Sequence, residues 1–261
     1  MKRAAGITIS ALVLAAVVLL LAFLSSKGRE VRSHIACTEL KVDILDSAKL
    51  GFVTEADIRG ILKDEYGVFI GQRLDSVGLA RIERILDGRS AVLKSEAYTT
   101  SDGLLHIEIT QREPLVRFNN GIVSFYADET GYIFPPVEGY EADIPIVTGS
   151  IPLEIPKGYK GEPKTPKEKL WLSGIIDLLK YLDSDKMWNS ALKSVTVDEK
   201  GDLVLYPVKG KERFLFGRPE DVRDKFRRLE DYYRYIAPTK EDGYYTIVNV
   251  KYDGQIVCRR K

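Results

Sequence analysis

The sequence is poor in the residues that carry most metal and nucleophilic chemistry. It has two histidines and two cysteines in 261 residues. Neither His34 nor His106 has Cys, His or acidic neighbours at the spacing of a metal site. Nucleophile elbows, zinc-protease motifs and phosphate-binding glycine loops are absent from the sequence. The adjacent acids Asp128 and Glu129 lead into Gly131, which a tight turn explains. We therefore expect no enzyme, no cofactor, no metal and no small-molecule substrate.

The sequence also lacks an excess of charge of either sign. Its 39 basic and 38 acidic residues leave a net charge of +1, and both signs are interspersed along the chain. A nucleic-acid-binding surface would need a basic excess on some domain, so we expect no nucleic-acid partner. Basic pairs such as Arg227-Arg228 are interpreted as solvated helix faces.

One long apolar run is present, and it lies near the N-terminus. Residues 7–24 carry no charge, and at about 1.5 Å per residue such a run spans most of a bilayer core of about 30 Å. We expect a cytoplasmic tail at 1–6, a transmembrane helix at 7–24, a juxtamembrane linker at 25–38 and an exported remainder. A cleavable signal peptide is the alternative; the length of the run and the poor cleavage site disfavour it. Lipidation of Cys37 is disfavoured by the charged stretch before it.

Export would place both cysteines, Cys37 and Cys258, in an oxidising compartment. An even count there permits a disulfide. The two residues lie near opposite ends of the exported part, and a bridge needs Cα atoms within about 7 Å. A disulfide and two buried thiols both remain open.

Residues 39–113 predict the order strand, helix, helix, strand, strand. Thr54 is placed as the N-cap of the first helix, with acids in the first turn. Ser101-Asp102-Gly103 separates two alternating segments and predicts a hairpin. The predicted strands are 40–45, 91–99 and 104–110, and the second helix is expected over 75–86.

Residues 114–261 predict a mixed β domain with packed helices, so the fold class is α+β. Seven of the eleven prolines lie between Pro135 and Pro166. We therefore expect a loop over 151–167 and no buried element between Ile151 and Pro166. A helix over 167–182 is expected to bury Leu170 among other apolar residues, and a later helix is expected to start around Pro219 and to bury Tyr233. The closing segments 244–252 and 255–258 are predicted strands.

Four segments resemble motifs of the bacterial cell-division protein family FtsQ, called DivIB in Gram-positive bacteria. The predicted order of signal anchor, POTRA module and β domain is also that of the family. The sequence departs from the family at Phe118, which replaces a Trp, and at the 151–167 loop, which is longer than expected. The segments are the interdomain junction at 109–117, a hairpin at 126–134, a strand-to-helix step at 214–218 and the closing strand at 248–253.

The resemblance implies a non-catalytic scaffold of the division complex. Such a scaffold is a single-pass protein of the inner membrane, with its N-terminus in the cytoplasm and its domains in the periplasm at the division site. It links early division proteins, met by the transmembrane and POTRA regions, to the FtsB–FtsL pair and so to septal peptidoglycan synthesis. A POTRA-containing secretion or outer-membrane assembly factor and a membrane-anchored periplasmic cell-wall enzyme are the alternatives.

The resemblance also implies a binding site on the terminal strand of the β domain. Lys251 and Tyr252 match the family's partner-contacting Arg-Tyr position. An edge strand has unpaired backbone groups to which a partner segment can add as a further strand. Tyr252 could instead cover the edge of the core. The predicted neighbours in this surface are Gln255, Ile256 and Val257.

Overall fold

The computed structural model describes residues 14–21, 35–137 and 140–260. The predicted cytoplasmic tail, most of the predicted transmembrane helix and most of the linker lie outside these residues. Residues 14–21 are helical and exposed. Within the described ranges, no helix combines the length and the apolar character needed to span a membrane. The chain divides into two compact units, Met1–Gln111 and Arg112–Lys261.

The first unit has the predicted order of elements. Its three-stranded sheet has the order β1-β3-β2, in which β3 runs parallel to β1 and antiparallel to β2. The inward residues Leu105, Ile107 and Ile109 of β3 are fully buried, as their alternation predicts. The elements are β1 (Glu39–Ile44), α1 (Glu55–Ile61), α2 (Leu79–Asp87), β2 (Val92–Thr99) and β3 (Leu104–Gln111).

The two helices of this unit begin in different ways. Thr54 caps α1 as predicted, because its hydroxyl accepts from the Asp57 N–H while the Asp57 carboxylate accepts from the Thr54 N–H. Helix α2 begins at Leu79, four residues later than predicted. The preceding residues Leu74–Ser76 form a 3₁₀ turn, and the Gly78 N–H donates to the Tyr66 hydroxyl oxygen at 2.8 Å.

The second unit is built on a nine-stranded mixed sheet with the order β12-β11-β10-β9-β8-β7-β4-β5-β6. The pairs β4–β7, β7–β8 and β10–β11 are parallel and the others antiparallel. The strands are β4 (Val116–Asn119), β5 (Ser124–Ala127), β6 (Ile133–Phe134), β7 (Ile146–Gly149), β8 (Leu192–Val197), β9 (Leu203–Pro207), β10 (Arg213–Gly217), β11 (Ile247–Asn249) and β12 (Val257–Arg259). The helices are α3 (Pro166–Ser184) and α4 (Val222–Asp231).

Helix α3 corrects two predictions. Thr165 and Glu168 form a capping box, so Pro166 and Lys167 belong to the helix and the predicted loop 151–167 is two residues too long. Leu170 is 65% exposed, so its predicted burial is wrong. It lies on the side of the helix opposite to the packed face, which is centred on Leu172, Ile175 and Leu179. The buried apolar residues of α3 are Leu172, Ile175, Ile176, Leu178 and Leu179.

The proline-rich segment forms the predicted loop, and two of its side chains still enter the core. Its residues 151–165 form no helix and no strand of the sheet, yet Ile151 and Leu153 are buried in the hydrophobic core. The N–H of Ile151 bonds to the Gly149 oxygen at 2.9 Å, and that of Leu153 bonds to the Ile151 oxygen at 2.9 Å. These short turns satisfy the backbone locally, and alternate side chains can therefore face the core without a ladder partner.

Helix α4 begins at Val222, beyond the predicted Pro219. Its last turn widens into a π-helical segment, Tyr232–Ile236. Tyr232 is 4% exposed, whereas Tyr233 is only half-buried, so the prediction that placed Tyr233 inward missed the more buried neighbour. A step of three residues from Leu229 keeps Tyr232 on the inner face of the helix.

Candidate partner-binding surface

Strand β12 is an open edge of the nine-stranded sheet. Among the described strands it pairs with β11 alone, with Cys258 opposite Val248. At the other end of the sheet, Ile133 of β6 exchanges two backbone hydrogen bonds with Gly161, at 2.8 and 3.0 Å, so a loop covers that edge. In the part of the chain that the structure describes, no strand covers the outer side of β12. Its unpaired backbone groups can accept another strand.

The outer strand β2 of the first unit is closed by acidic side chains instead. The Ser95 N–H donates to a carboxylate oxygen of Asp87 at 2.8 Å, and the Ala97 N–H donates to Glu83 at 2.9 Å. Both acids belong to α2. Since these two N–H groups are already bonded, a partner strand could not add there without displacing α2.

The predicted partner-binding residues lie in the segment between β11 and β12 and at the start of β12. Tyr252 is 56% exposed in the turn, and Val257, the first residue of β12, is 37% exposed. Gln255 is exposed, and Ile256 is half-buried against the core. The predicted strand through Tyr252 is too long, because β11 ends at Asn249. Tyr252 therefore projects from a turn beside the open edge.

Lys251 is held in place by three contacts. Its ammonium group lies 2.9 Å from a carboxylate oxygen of Asp202, in the β8–β9 turn, and this hydrogen bond raises the pKa of Lys251. Its backbone N–H donates to the Asn249 side chain at 3.0 Å. Its aliphatic part packs against Gly217, which has a φ of 80°. These contacts fix the backbone immediately before Tyr252.

Arg228 of α4 supports the same turn from beneath. Its guanidinium donates to the Val250 oxygen at 3.0 Å and to the Asp253 carboxylate at 3.2 Å. The interpretation of Arg227-Arg228 as a solvated helix face is correct for Arg227, whose side chain is 71% exposed. It is wrong for Arg228, which is 8% exposed. Its spacing of four residues from the buried Tyr232 places it on the inner face of the helix, and this spacing was the signal that could have identified it.

A polar cavity of about 370 Å³ adjoins Lys251 and Arg228. Lys225 in its wall is 5% exposed, and its ammonium group donates to the Arg218 oxygen at 2.7 Å. Burial lowers the pKa of Lys225. Among the residues that the structure describes, no group of three or more His, Cys, Asp or Glu is arranged to hold a metal. The contacts around this cavity orient a backbone turn.

The other residues singled out in the sequence have structural partners where the structure describes them. Asp128 is buried and accepts from the Thr130 and Tyr132 N–H groups at 2.9 and 3.0 Å, so the turn prediction is confirmed. Arg112 donates to Asp128 at 2.6 Å. His106 stacks on Tyr98 with ring centroids 4.9 Å apart. His34 lies outside the described residues.

The structure leaves both cysteines as free thiols. Cys37 is buried and Cys258 is half-buried opposite Val248 of β11. Burial raises the pKa of each thiol. Of the two alternatives left open by the sequence, the structure has unpaired thiols.

Two family models match the chain, one in each compact unit. Residues 35–110 match the POTRA-like domain. Residues 113–259, more than half of the chain, match the model described as FtsQ/DivIB, C-terminal related. A search of curated proteins gives no match. The second match includes β12, the turn with Tyr252 and the helix with Arg228. The chain therefore belongs to the FtsQ/DivIB family, with a POTRA-like domain preceding its FtsQ/DivIB-related C-terminal domain.

Proposed function

We propose that this chain is a non-catalytic scaffold of the bacterial cell-division complex that binds an FtsB–FtsL-type pair through β12 and the preceding turn. The observation that carries the proposal is the open edge of β12 beside the exposed side chain of Tyr252, in a chain of the FtsQ/DivIB family. A partner segment would add main-chain hydrogen bonds along β12. Tyr252 would supply a large contact area with a polar tip.

The proposal gives the remaining regions supporting roles. The apolar run at 7–24 anchors the chain in the inner membrane with residues 1–6 in the cytoplasm. The POTRA-like domain, matched over 35–110, meets other division proteins together with the transmembrane region. Both globular domains lie in the periplasm, concentrated at the division site. Lys251 and Arg228 hold the turn with Tyr252 in place, and this favours a binding role for the turn. A turn that is ordered before binding loses less entropy when a partner docks.

The first test is the position of a fluorescent fusion to the N-terminus in dividing cells. A sharp band at the constriction is the expected result. A uniform outline around the cell would contradict the division role and favour the secretion or outer-membrane assembly alternative, which the POTRA-like match also fits. Activity of the purified chain on peptidoglycan would instead favour the cell-wall enzyme, and we expect none.

The second test locates the partner on the surface. A photo-crosslinking amino acid at Val257 on β12 should capture an FtsB- or FtsL-type protein in cells. The matched control is the same amino acid at Ile122, which is 91% exposed at the turn between β4 and β5. Capture at Ile122 with none at Val257 would remove β12 from the site.

A further inference from the structure

A cleft lined by tyrosines, here called the tyrosine cleft, lies in the second unit apart from the turn with Tyr252. It encloses about 390 Å³ and lies near the end of the sheet at which β10 and β11 begin. The carboxylate of Glu212 is part of its wall. Its aromatic residues are Tyr232, Tyr233, Tyr244 and Tyr245.

Glu212 is a buried acid in the wall of the cleft. It is 8% exposed, and the Tyr233 hydroxyl donates to one of its oxygens at 2.8 Å. Within the described ranges, no Lys or Arg nitrogen lies within 4.0 Å of its carboxylate oxygens. Burial and the charge of Glu212 together raise the pKa of Tyr232 to about 12. Buried charges in proteins are normally paired, so this carboxylate can still accept a cation.

The tyrosine rings of the cleft also favour positive charge. Aromatic faces attract ammonium and guanidinium groups within about 6 Å of the ring centroid. Tyr244 already has two such neighbours at the rim, Lys240 at 5.5 Å and Arg260 at 5.2 Å from its ring centroid. The exposed charges of the lining balance, because Lys209 and Lys240 accompany Glu241 and Asp242, and the buried Glu212 leaves the cleft with a negative excess. The cleft therefore combines aromatic faces with a buried carboxylate, as a receptor for a cationic side chain requires.

The cleft adjoins the end of the open edge. Thr246 follows Tyr245 directly, and its N–H donates to the backbone oxygen of Arg259, the last residue of β12, at 3.0 Å. A segment paired along β12 would thus bring its flanking residue close to the cleft. We propose that the tyrosine cleft binds the side chain of an arginine or lysine that flanks the partner strand on β12. The source of this side chain rests on the proposed function, whereas the chemistry of the cleft does not.

Arginine is the preferred occupant of the two. A planar guanidinium can make two parallel hydrogen bonds to a carboxylate and can stack on a tyrosine ring at the same time. The probe for the test is Nα-acetyl-arginine methylamide, and its neutral near-isostere is the citrulline derivative. The full chain in detergent micelles, with ¹³C-labelled tyrosine rings, is titrated with each. Only the arginine derivative should shift the cleft tyrosines saturably, with signals assigned by Tyr233→Phe and Tyr245→Phe.

The matched pair of variants is Glu212→Gln and Glu241→Gln. The first keeps the shape and the acceptor for the Tyr233 hydroxyl, and it should weaken arginine binding at least tenfold. The second removes a charge from the rim and should weaken binding less than threefold. Should Glu212→Gln fail to fold, Tyr245→Leu tests the same cleft, since it removes a ring and leaves the carboxylate. Equal shifts by arginine and citrulline, or full arginine binding by folded Glu212→Gln, would overturn the proposal.

A last titration separates the two proposals. Glu212→Gln should bind a soluble FtsB–FtsL pair at least tenfold more weakly than the unmodified chain. Unchanged affinity for the pair, together with lost arginine binding, would overturn the partner strand as the source of the side chain. Arginine binding that persists while Val257 captures no division protein would reject the proposed function and leave the cleft intact.

Discussion

The guanidinium of Arg228 donates a hydrogen bond to the backbone oxygen of Val250 at 3.0 Å, in a buried contact between α4 and the residue after β11. Arg228 also reaches Asp253. The turn with Tyr252 lies between these two acceptors. The shape of the candidate surface therefore depends on this helix side chain together with the contacts of Lys251.

Replacing Arg228 with methionine should destabilise the second unit. The change leaves the Val250 oxygen without its buried donor, which typically costs about 1–3 kcal/mol. Urea unfolding followed by tryptophan fluorescence measures this, because Trp171 and Trp188, the two tryptophans of the chain, lie in the second unit.

The control for Arg228 is its neighbour Arg227, whose side chain is 71% exposed and pairs with Asp224 on the surface. Arg227→Met should change the free energy of unfolding by less than about 0.5 kcal/mol. Equal losses in the two variants would contradict the supporting role of Arg228.

Replacing Tyr252 with alanine should leave the fold intact and weaken partner binding. The side chain is 56% exposed, so its removal opens no cavity in the core. Truncation of a central interface aromatic often costs about 2 kcal/mol, or about a thirtyfold loss of affinity. Titration with a soluble FtsB–FtsL pair measures the loss. Tyr98→Ala, at a 39% exposed tyrosine of the first unit, is the control. Unchanged affinity in Tyr252→Ala would remove this residue from the site.

Gly174→Ala in α3 should destabilise the second unit even though alanine is the better helix former. A Cβ at position 174 would clash with the backbone oxygen of Pro219. The overlap should outweigh the propensity gain of about 1 kcal/mol and leave a net loss of about 1–3 kcal/mol.

The control in the same helix is Ser173→Ala, at an exposed position, which should be neutral or slightly stabilising.

A Cβ added to Gly60 of α1 would meet no atom within 4 Å, so Gly60→Ala should stabilise the first unit. Slower hydrogen exchange of the α1 amides would measure that stabilisation. A stabilised Gly174→Ala would show that α3 and the Pro219 backbone pack less closely than the structure has them.

The second unit should unfold at alkaline pH through its buried tyrosines. Burial first, and then the charge of Glu212, raise the pKa of Tyr232 from 10.0 to about 12. Because the folded pKa is the higher one, this stabilisation is complete below pH 10.0 and is lost as the pH rises through about 12. Burial and the hydrogen bond to Glu212 raise the pKa of Tyr233 in the same direction.

The measurement for this prediction is the midpoint of thermal unfolding between about pH 9 and about pH 12, a range that starts below the lower pKa value of Tyr232 and reaches the higher one. Tyr232→Phe should flatten the alkaline loss, whereas Tyr235→Phe, at a 63% exposed side chain, should not. Identical pH profiles for the two variants would show that Tyr232 ionises freely in the folded protein.

Local patterns predicted the elements well where they depend on neighbours in sequence. The alternation of Leu105, Ile107 and Ile109 predicted both the strand and its buried face, and Thr54 predicted the start of α1. The errors arose where the burial of a residue depends on segments that are distant in the sequence. Leu170 was predicted to be buried and is exposed, whereas Arg228 was predicted to be exposed and is buried. Burial of a helix residue depends on which face of the helix the sheet covers.

The sequence and the three-dimensional structure likewise contribute different information about the candidate site. The residues themselves, Lys251, Tyr252 and Val257, came from a family resemblance in the sequence. The order of strands and helices and the near-neutral charge follow from local patterns and composition, and the family resemblance follows from short motifs. Three features are visible in the folded chain alone: β12 is an open edge, Tyr252 projects from a braced turn, and Glu212 lies among tyrosines. Each of these depends on the pairing of segments far apart in the chain, and a local pattern does not encode which segments pair.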